Sequence, residues 1–164
     1  MKRLLVLIAL IGFSLPAQGQ VVMPDPRFEA GLRTSVFGLG LFAGPAGGAG
    51  LSFRHHLPSA VSYQLTGGII KAEDRLHYSL GAELQFDLGR SQTSRFFAGA
   101  AASYFYSGTS DHNEMAGPAR IGAGIGGEYS SGSGFHLAGD LMFTYFSDGT
   151  VLPLPQIGLF YYFY

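Results

Sequence analysis

Apolar and polar residues alternate along the segment from Leu76 to Leu88. Its even positions are all apolar, and its odd positions are polar, charged or glycine. A period of two predicts a β-strand with two unlike faces. Strands in soluble proteins usually have about 5–6 residues, whereas a tilted strand that crosses a bilayer needs roughly 9–11. We therefore predict a transmembrane strand with its apolar face toward lipid and its polar face toward a barrel interior.

The same alternation predicts further strands on both sides of this segment. Strand one starts near Phe28, but its alternation blurs between Phe37 and Phe42, where either the phase flips at a bulge or the strand ends early. We expect its lipid-facing residues to be Phe28, Ala30, Leu32, Thr34 and Val36. The other predicted strands are Ala49–Leu57, Ala60–Ile70, Phe96–Tyr106, Ala119–Tyr129, Phe135–Phe146 and Gln156–Tyr164. The sequence thus predicts an all-β fold, an eight-stranded antiparallel up-and-down transmembrane β-barrel.

The connections between these strands fall into two groups. We predict turns or loops at Gly44–Gly48, Pro58–Ser59, Lys71–Arg75, Gly89–Arg95, Ser107–Pro118, Ser130–Gly134 and Ser147–Pro155. The two longest follow odd-numbered strands. Short periplasmic turns, longer outer loops and an even strand number are typical of bacterial barrels. We therefore expect both ends of the barrel domain to lie in the periplasm.

The first residues have the composition of an export signal. Met1, Lys2 and Arg3 form a basic start, Leu4–Leu15 is apolar, and small residues follow to Gly19. This pattern predicts a signal peptide at residues 1–19 and a barrel domain at residues 20–164. The chain has no cysteine, which excludes disulfides and a lipoprotein anchor.

The composition favours a barrel in lipid over a soluble domain. The chain has 14 Phe, 9 Tyr and 25 Gly, and only 13% of its residues are charged, whereas about 25% is usual in soluble domains. A secreted soluble lipid-binding barrel is the alternative, but it would have its apolar face inside. The net charge of −1 gives no indication of nucleic-acid binding, and we expect no cofactor.

The chain ends in alternating aromatic residues: Phe160, Tyr162 and Tyr164. This ending resembles the C-terminal insertion signal of outer-membrane proteins. Together with the signal peptide and eight strands, it makes the chain resemble the small outer-membrane barrels of the OmpA/OmpX type. The resemblance implies the outer membrane of a Gram-negative cell, with its lipid and its barrel-insertion machinery as partners. It implies a structural role, or surface interaction through the outer loops, and it leaves the loop partner unknown.

The predicted strand phases place charged side chains on inward faces. These residues are Glu29, Arg33, Arg54, Glu83, Asp87, Arg120, Glu128 and Asp140. Both signs are present, so ion pairs can form across the lumen, and buried charges must pair. The side chains of an eight-stranded barrel are large enough to fill its interior. We therefore expect a largely plugged interior; a narrow, porin-like polar pore is the alternative.

One pair of residues suggests catalysis. His77 and Ser79 resemble the His-x-Ser element of outer-membrane lipid A deacylases, which implies a serine nucleophile activated by histidine. The pair faces the interior and lies mid-chain, and Glu83 is six residues from His77. We therefore expect no catalytic residues, and a lipid-modifying enzyme is the alternative.

Two other motifs are given structural interpretations. Asp111, His112 and Glu114 are potential metal ligands, but they lie on the longest predicted loop, where we expect a solvated surface and no metal. The glycines from Gly122 to Gly127 imitate a nucleotide-binding fingerprint, but they lie within a strand and open no helix. We expect them to make room for large lumenal side chains.

Overall fold

Nine strands form one antiparallel sheet in the computed structural model, which describes residues 35–72, 74–109, 112–130 and 134–163. The strands within these ranges are β1 (Val36–Gly44), β2 (Gly48–His56), β3 (Val61–Ala72), β4 (Arg75–Arg90), β5 (Ser94–Thr109), β6 (His112–Asn113), β7 (Ala119–Ser130), β8 (Phe135–Phe146) and β9 (Val151–Phe163). The two-residue β6 pairs only with the end of β5. The predicted signal peptide and the start of predicted strand one lie outside the described residues.

The eight longer strands close into a barrel. Each pairs with its neighbours in the chain, and β1 also pairs with β9. The pairing of β4 with β5 closes the sheet into a ring. Each of the eight longer strands is therefore paired on both sides over at least part of its length. The predicted eight-stranded antiparallel up-and-down barrel is therefore confirmed.

The two faces of the wall differ in polarity as the alternation predicts. In β4, the outward residues Leu80 and Leu84 are 67% and 62% exposed. Glu83 and Gln85, the inward residues on either side of Leu84, are buried. Exposed large apolar side chains occur in all eight longer strands, and most of the buried polar side chains lie on inward faces. No helix of the described residues is long and apolar enough to cross a membrane.

The phase of β1 differs from the prediction. The strand continues to Gly44, with Phe37, Leu39 and Leu41 exposed on the outside. Val36 therefore belongs to the inward face, where it packs against the cluster around Phe42, and both the outward assignment of Val36 and the early end are wrong. The alternation blurs in the sequence because Gly38 and Gly40, the inward positions between Phe37, Leu39 and Leu41, are glycines. The phase of residues 28–34 lies outside the described residues.

The last strand begins earlier than predicted. β9 starts at Val151, so the loop predicted to end at Pro155 is shorter, and Pro153 and Pro155 are part of the strand. Both prolines pair with β8, whereas the β1 pairing of β9 ends at Ile157. Proline lacks an N–H group and is tolerated where a strand has a free edge. The prolines therefore occupy the part of β9 that β1 leaves uncovered.

The strands also extend into other predicted turns. β3 and β4 remain paired up to Ala72 and Arg75, which shortens the predicted charged loop. β4 and β5 remain paired up to Arg90 and Arg95, with a bulge between Asp87 and Gly89. A turn assignment based on polar composition fails here because these polar residues continue the strand alternation beyond the apolar belt.

The turn between β1 and β2 is folded into the barrel. Ala46 is fully buried, and the backbone N–H groups of Ala46 and Gly47 donate to Oε1 of Gln156 at 3.0 and 2.8 Å. The Ser103 hydroxyl donates to the carbonyl oxygen of Pro45 at 2.9 Å. We call residues 45–47 the inner turn. It fills the middle of the lumen with backbone rather than with long side chains.

The inner turn needs a glycine at position 81. A Cβ atom on Gly81 would lie 2.2 Å from the carbonyl oxygen of Gly47, which is shorter than any non-bonded contact allows. A Cβ on Gly89 of the same strand would meet nothing within 4 Å. We expect Gly81→Ala to lower the free energy of unfolding by about 1–3 kcal/mol, as overpacking does. Urea unfolding of the refolded barrel measures it.

Gly89→Ala is the matched control for this change. We expect it to have no effect or a slightly stabilising one, because alanine restricts the unfolded chain. Equal losses from the two variants would contradict the position of the inner turn.

The lumenal charge cluster as candidate functional site

Arg54 is the centre of a buried ion-pair cluster in the lumen. The alternation of β2 places it inward, and no part of it is exposed. Its Nη1 lies 2.7 Å from Oε2 of Glu128 on β7, and its Nε donates to Oε1 of Gln64 on β3 at 2.8 Å. The guanidinium also lies 4.0 Å from the ring centre of Phe160. This side chain therefore connects β2, β3, β7 and β9 across the interior.

A second arginine binds the same carboxylate. Arg95 on β5 places Nη2 2.8 Å and Nε 3.0 Å from Oε2 of Glu128. Its Nη1 lies 2.7 Å from Oδ1 of Asp87, and it also donates to Gln85. Asp87 is bound in turn by Arg90. Each charge of this group faces an opposite charge, which is the condition under which buried ions are tolerated.

Histidines and a tyrosine complete the surroundings of Glu128. The second carboxylate oxygen, Oε1, lies 2.7 Å from Nδ1 of His136 and 3.9 Å from Nε2 of His56. Nε2 of His56 is also within 2.7 Å of the Tyr162 hydroxyl, and the Tyr162 ring packs against both imidazoles. The polar atoms of this cluster are thus bound to one another, and Tyr162 contacts both histidines that lie beside Glu128.

Glu83 and Asp140 form a second inward group, to which none of the described arginine or lysine side chains is bound in an ion pair. Gln85 donates to Glu83 Oε1 and Gln156 donates to Asp140 Oδ1, each at 2.7 Å. The other oxygens, Glu83 Oε2 and Asp140 Oδ2, are buried and accept no hydrogen bond from any described residue. Gln156 also accepts from the inner turn, so this group lies where the turn meets the wall.

Arg120 lies at the other end of the lumen, beside the turn between β8 and β9. Its guanidinium stacks between Phe105 and Phe146, at 4.1 and 4.8 Å from the ring centres, and donates to the Gly117 carbonyl at 3.2 Å. Asp148 in the neighbouring turn accepts from the Thr150 N–H, which lowers the pKa of Asp148 below its usual range. These contacts of Arg120 are therefore separate from the ion-pair cluster and lie beside the turn between β8 and β9.

The eight residues predicted to form a lumenal network thus lie in different places. Arg54, Glu128 and Asp87 belong to the ion-pair cluster, Glu83 and Asp140 to the carboxylate group at the inner turn, and Arg120 to the other end of the lumen. Glu29 and Arg33 lie outside the described residues. Of the residues in the C-terminal signal, Phe160 and Tyr162 are buried in the lumen. Tyr164 lies outside the described residues.

Arg95 is a lumenal residue that the predicted strand boundaries leave out. Its polar neighbours predict a turn, yet Arg95 is only 5% exposed and binds Glu128. The sequence does contain a signal for this position, because Arg95 has the same parity as Phe97, which is buried inside. Extending the predicted strand Phe96–Tyr106 backward by one residue, with Phe97 inside, would place Arg95 in the lumen.

The geometry of His77 and Ser79 does not match that of a nucleophile and its base. The Ser79 hydroxyl accepts from the Ala49 N–H at 3.0 Å and donates to the Ala49 carbonyl oxygen. The described residues show no hydrogen bond between His77 and Ser79. The hydroxyl instead ties the start of β2 to β4, which is a structural use of both its donor and its acceptor.

The predicted loop ligands are likewise not assembled into a metal site. No group of three or more His, Asp or Glu side chains with metal-binding spacing occurs within the described ranges, from which Asp111 is excluded. Glu114 is instead bound to Arg75 at 2.7 Å, which ties the loop after β6 to the start of β4.

Similarity to known proteins lies in the fold. No family model matches the chain, and no curated protein matches it. Among solved structures, it is similar to the outer-membrane protein Ail of Yersinia pestis in a phospholipid nanodisc, with 12% identity over 79% of this chain and 98% of that one, and a TM-score of 0.45. It is also similar to a major outer-membrane protein of Thermus thermophilus, with 14% identity over 79% and 100% of the chains and a TM-score of 0.43. A third similar structure is Neisserial surface protein A, with 16% identity, 78% and 91% coverage and a TM-score of 0.38. At the level of architecture, the chain resembles these small barrels.

The two carboxylate groups should respond differently to loss of charge. Glu128 is bound by two arginines, so Glu128→Gln leaves buried cations unpaired and should lower the free energy of unfolding by about 3–5 kcal/mol. Glu83 has an oxygen without a donor, so Glu83→Gln should lower that free energy far less or raise it. Urea unfolding of both variants in the same detergent measures the difference.

Both substitutions keep the size of the side chain, so each is a control for the other. A larger loss from Glu83→Gln than from Glu128→Gln would contradict the assignment of Glu128 as the carboxylate shared by Arg54 and Arg95.

Proposed function

We propose that this protein is an integral β-barrel of a bacterial outer membrane with a closed interior. Its role is structural, or it binds partners at the cell surface through its outer loops. The observation that carries the proposal is the opposite polarity of the two faces: leucine, isoleucine and aromatic side chains outside, and Arg54, Arg95 and Glu128 inside.

The outer face is suited to hydrocarbon rather than water. Large apolar side chains on all eight longer strands are about half exposed or more, among them Leu51 at 74% and Ile69 at 72%. Soluble monomers rarely expose apolar patches larger than a few hundred Å². Where its strands are paired on both sides, the barrel also satisfies its backbone hydrogen bonds internally, as lipid requires. These properties support insertion into a bilayer.

The interior supports a closed barrel rather than a channel. The ion-pair cluster occupies the periplasmic half, and the inner turn packs with Ala101 and Met142 in the middle. Arg120 between two phenylalanines occupies the outer end. The lumen is thus filled at three levels, which leaves the external loops as the part of the protein available for interaction.

The two alternative functions have less support. A soluble lipid-binding barrel needs an apolar lumen, whereas this lumen holds the buried charges described above. A lipid A deacylase-like enzyme needs a serine that a histidine can activate, and the Ser79 hydroxyl is bound to the Ala49 backbone. We therefore propose a non-enzymatic barrel.

Insertion can be tested with a charge at two depths. Leu84 lies near the middle of β4 and Leu88 near its periplasmic end, and each is 62% exposed. Arginine on the lipid face costs about 2–4 kcal/mol at the midplane and about 0–1 kcal/mol near the interface. After expression in a Gram-negative host, we expect wild type and Leu88→Arg to stay with the outer-membrane fraction after a carbonate wash. The amount of Leu84→Arg there should fall strongly. Recovery of wild type in the soluble periplasm would overturn the proposal.

Closure of the interior can be tested separately by electrical recording. We expect the refolded protein to give no stepwise conductance in planar bilayers, because its lumen is filled at three levels. A gel shift between unboiled and boiled samples shows that the protein used is folded. Steady channels from folded protein would contradict a closed interior and favour the polar pore.

A further inference from the structure

The inner turn leaves an opening in the outer half of the barrel wall. The pairing of β2 with β3 ends at Leu51 and Gly67, although β3 continues to Ala72. The pairing of β1 with β9 ends at Ala43 and Ile157, although β9 begins at Val151. Residues 68–72 and 151–156 therefore have no strand partner on this side among the described residues. We call the space between them the wall notch.

A cavity of about 690 Å³ lies at the β3 side of the wall notch. Its lining includes Leu51 and Ile69 from the outer face, and Phe105 and Ser79 from the inner face. Because side chains of both faces line one cavity, it connects the outside of the wall with the upper lumen. Its volume is within the range of about 300–1,000 Å³ usual for small-ligand sites.

Most side chains around this cavity are apolar, in contrast to the rest of the lumen; the inward polar residues among them are His77 and Ser79, and the Ser79 hydroxyl is bound to the Ala49 backbone. Ile70 has inward parity on β3 and is 68% exposed, and Met115 also lines the cavity. On the other side of the wall notch, Leu152 of β9 also has inward parity and is exposed. These side chains would be covered if the β1–β2 hairpin extended as far as β3 and β9 do. The space is thus suited to a hydrocarbon chain.

We propose that the cavity holds one acyl chain of a membrane lipid that enters sideways through the wall notch. This inference rests on the proposed insertion into a membrane. The rim of the cavity, at Leu41, Leu51 and Ile69, is continuous with the lipid-facing surface, so a chain reaches it without passing through water. Lys71 is exposed two residues beyond Ile69 on the same strand face, where its ammonium can bind the lipid phosphate.

The absence of tryptophan from the chain gives a direct test. Phe105→Trp places one fluorophore inside the cavity and keeps an aromatic ring against Arg120. The protein is refolded into dioleoylphosphatidylcholine vesicles and into vesicles of the same lipid with brominated acyl chains. Bromine quenches tryptophan on contact, so we expect strong quenching in the brominated vesicles although position 105 faces inward.

Three further variants separate the possible results. Leu84→Trp on the lipid face must be quenched if the barrel is inserted. Phe146→Trp also faces inward against Arg120 but does not line the cavity, and should be quenched far less. Gly67→Phe added to Phe105→Trp blocks the lipid-facing mouth of the cavity, since position 67 has the outward parity of Ile69 and a Cβ there meets nothing closer than 3.9 Å, and it should remove most of the quenching.

Each result has one meaning. Quenching at position 105 that Gly67→Phe removes supports the lipid chain. Quenching at position 84 without quenching at position 105 overturns this inference but leaves the membrane barrel intact. The same result is expected if a second protein copy, rather than lipid, covers the wall notch. No quenching at position 84 overturns the membrane barrel itself. If Phe105→Trp does not fold, Met115→Trp reports on the same cavity.

Discussion

The shared binding of Glu128 by Arg54 and Arg95 is the interaction on which the interior depends. It connects β2, β5 and β7, which are distant in sequence, at one point of the lumen. A strand that slipped by one residue would turn its inward side chains outward. For these strands, a slip would place an arginine or a glutamate on the apolar outer face and would break the cluster. The ion pairs therefore contribute to strand register more clearly than to net stability, since burying charges costs much of what their attraction returns.

The alternation of polarity predicted the fold wherever both faces carry side chains. β8 begins and ends where the pattern does, and β4 has the predicted phase. The pattern failed where inward positions are glycines, as in β1, and where polar residues continue a strand past the apolar belt, as at Arg95. It also failed at Pro153, because proline normally ends a strand and is allowed here only by the short β1.

The position of the inner turn could not be predicted from the sequence. Residues 45–47 have the composition of an ordinary exposed turn, and their burial depends on partners far along the chain, such as Gln156 and Ser103. Glycines at positions 81 and 122 leave the space in which the turn lies. These glycines lie in strands whose pattern gives no sign of what they face. Such a contact becomes apparent only when the barrel brings the strands together.

Folding this turn inward has two consequences that cannot be separated. The backbone of residues 45–47 that enters the lumen no longer extends the wall, so the wall is shorter where this turn folds inward. The pairing of β1 and β2 with their neighbours ends early for this reason, and the prolines of β9 keep the resulting edge from accepting another strand by removing its donors. Along β3, the edge carries no proline, and apolar side chains surround it. The inner turn thus links the two features, because the residues that leave the wall between β1 and β2 are the residues that pack against Gln156, Ser103 and Met142 in the lumen.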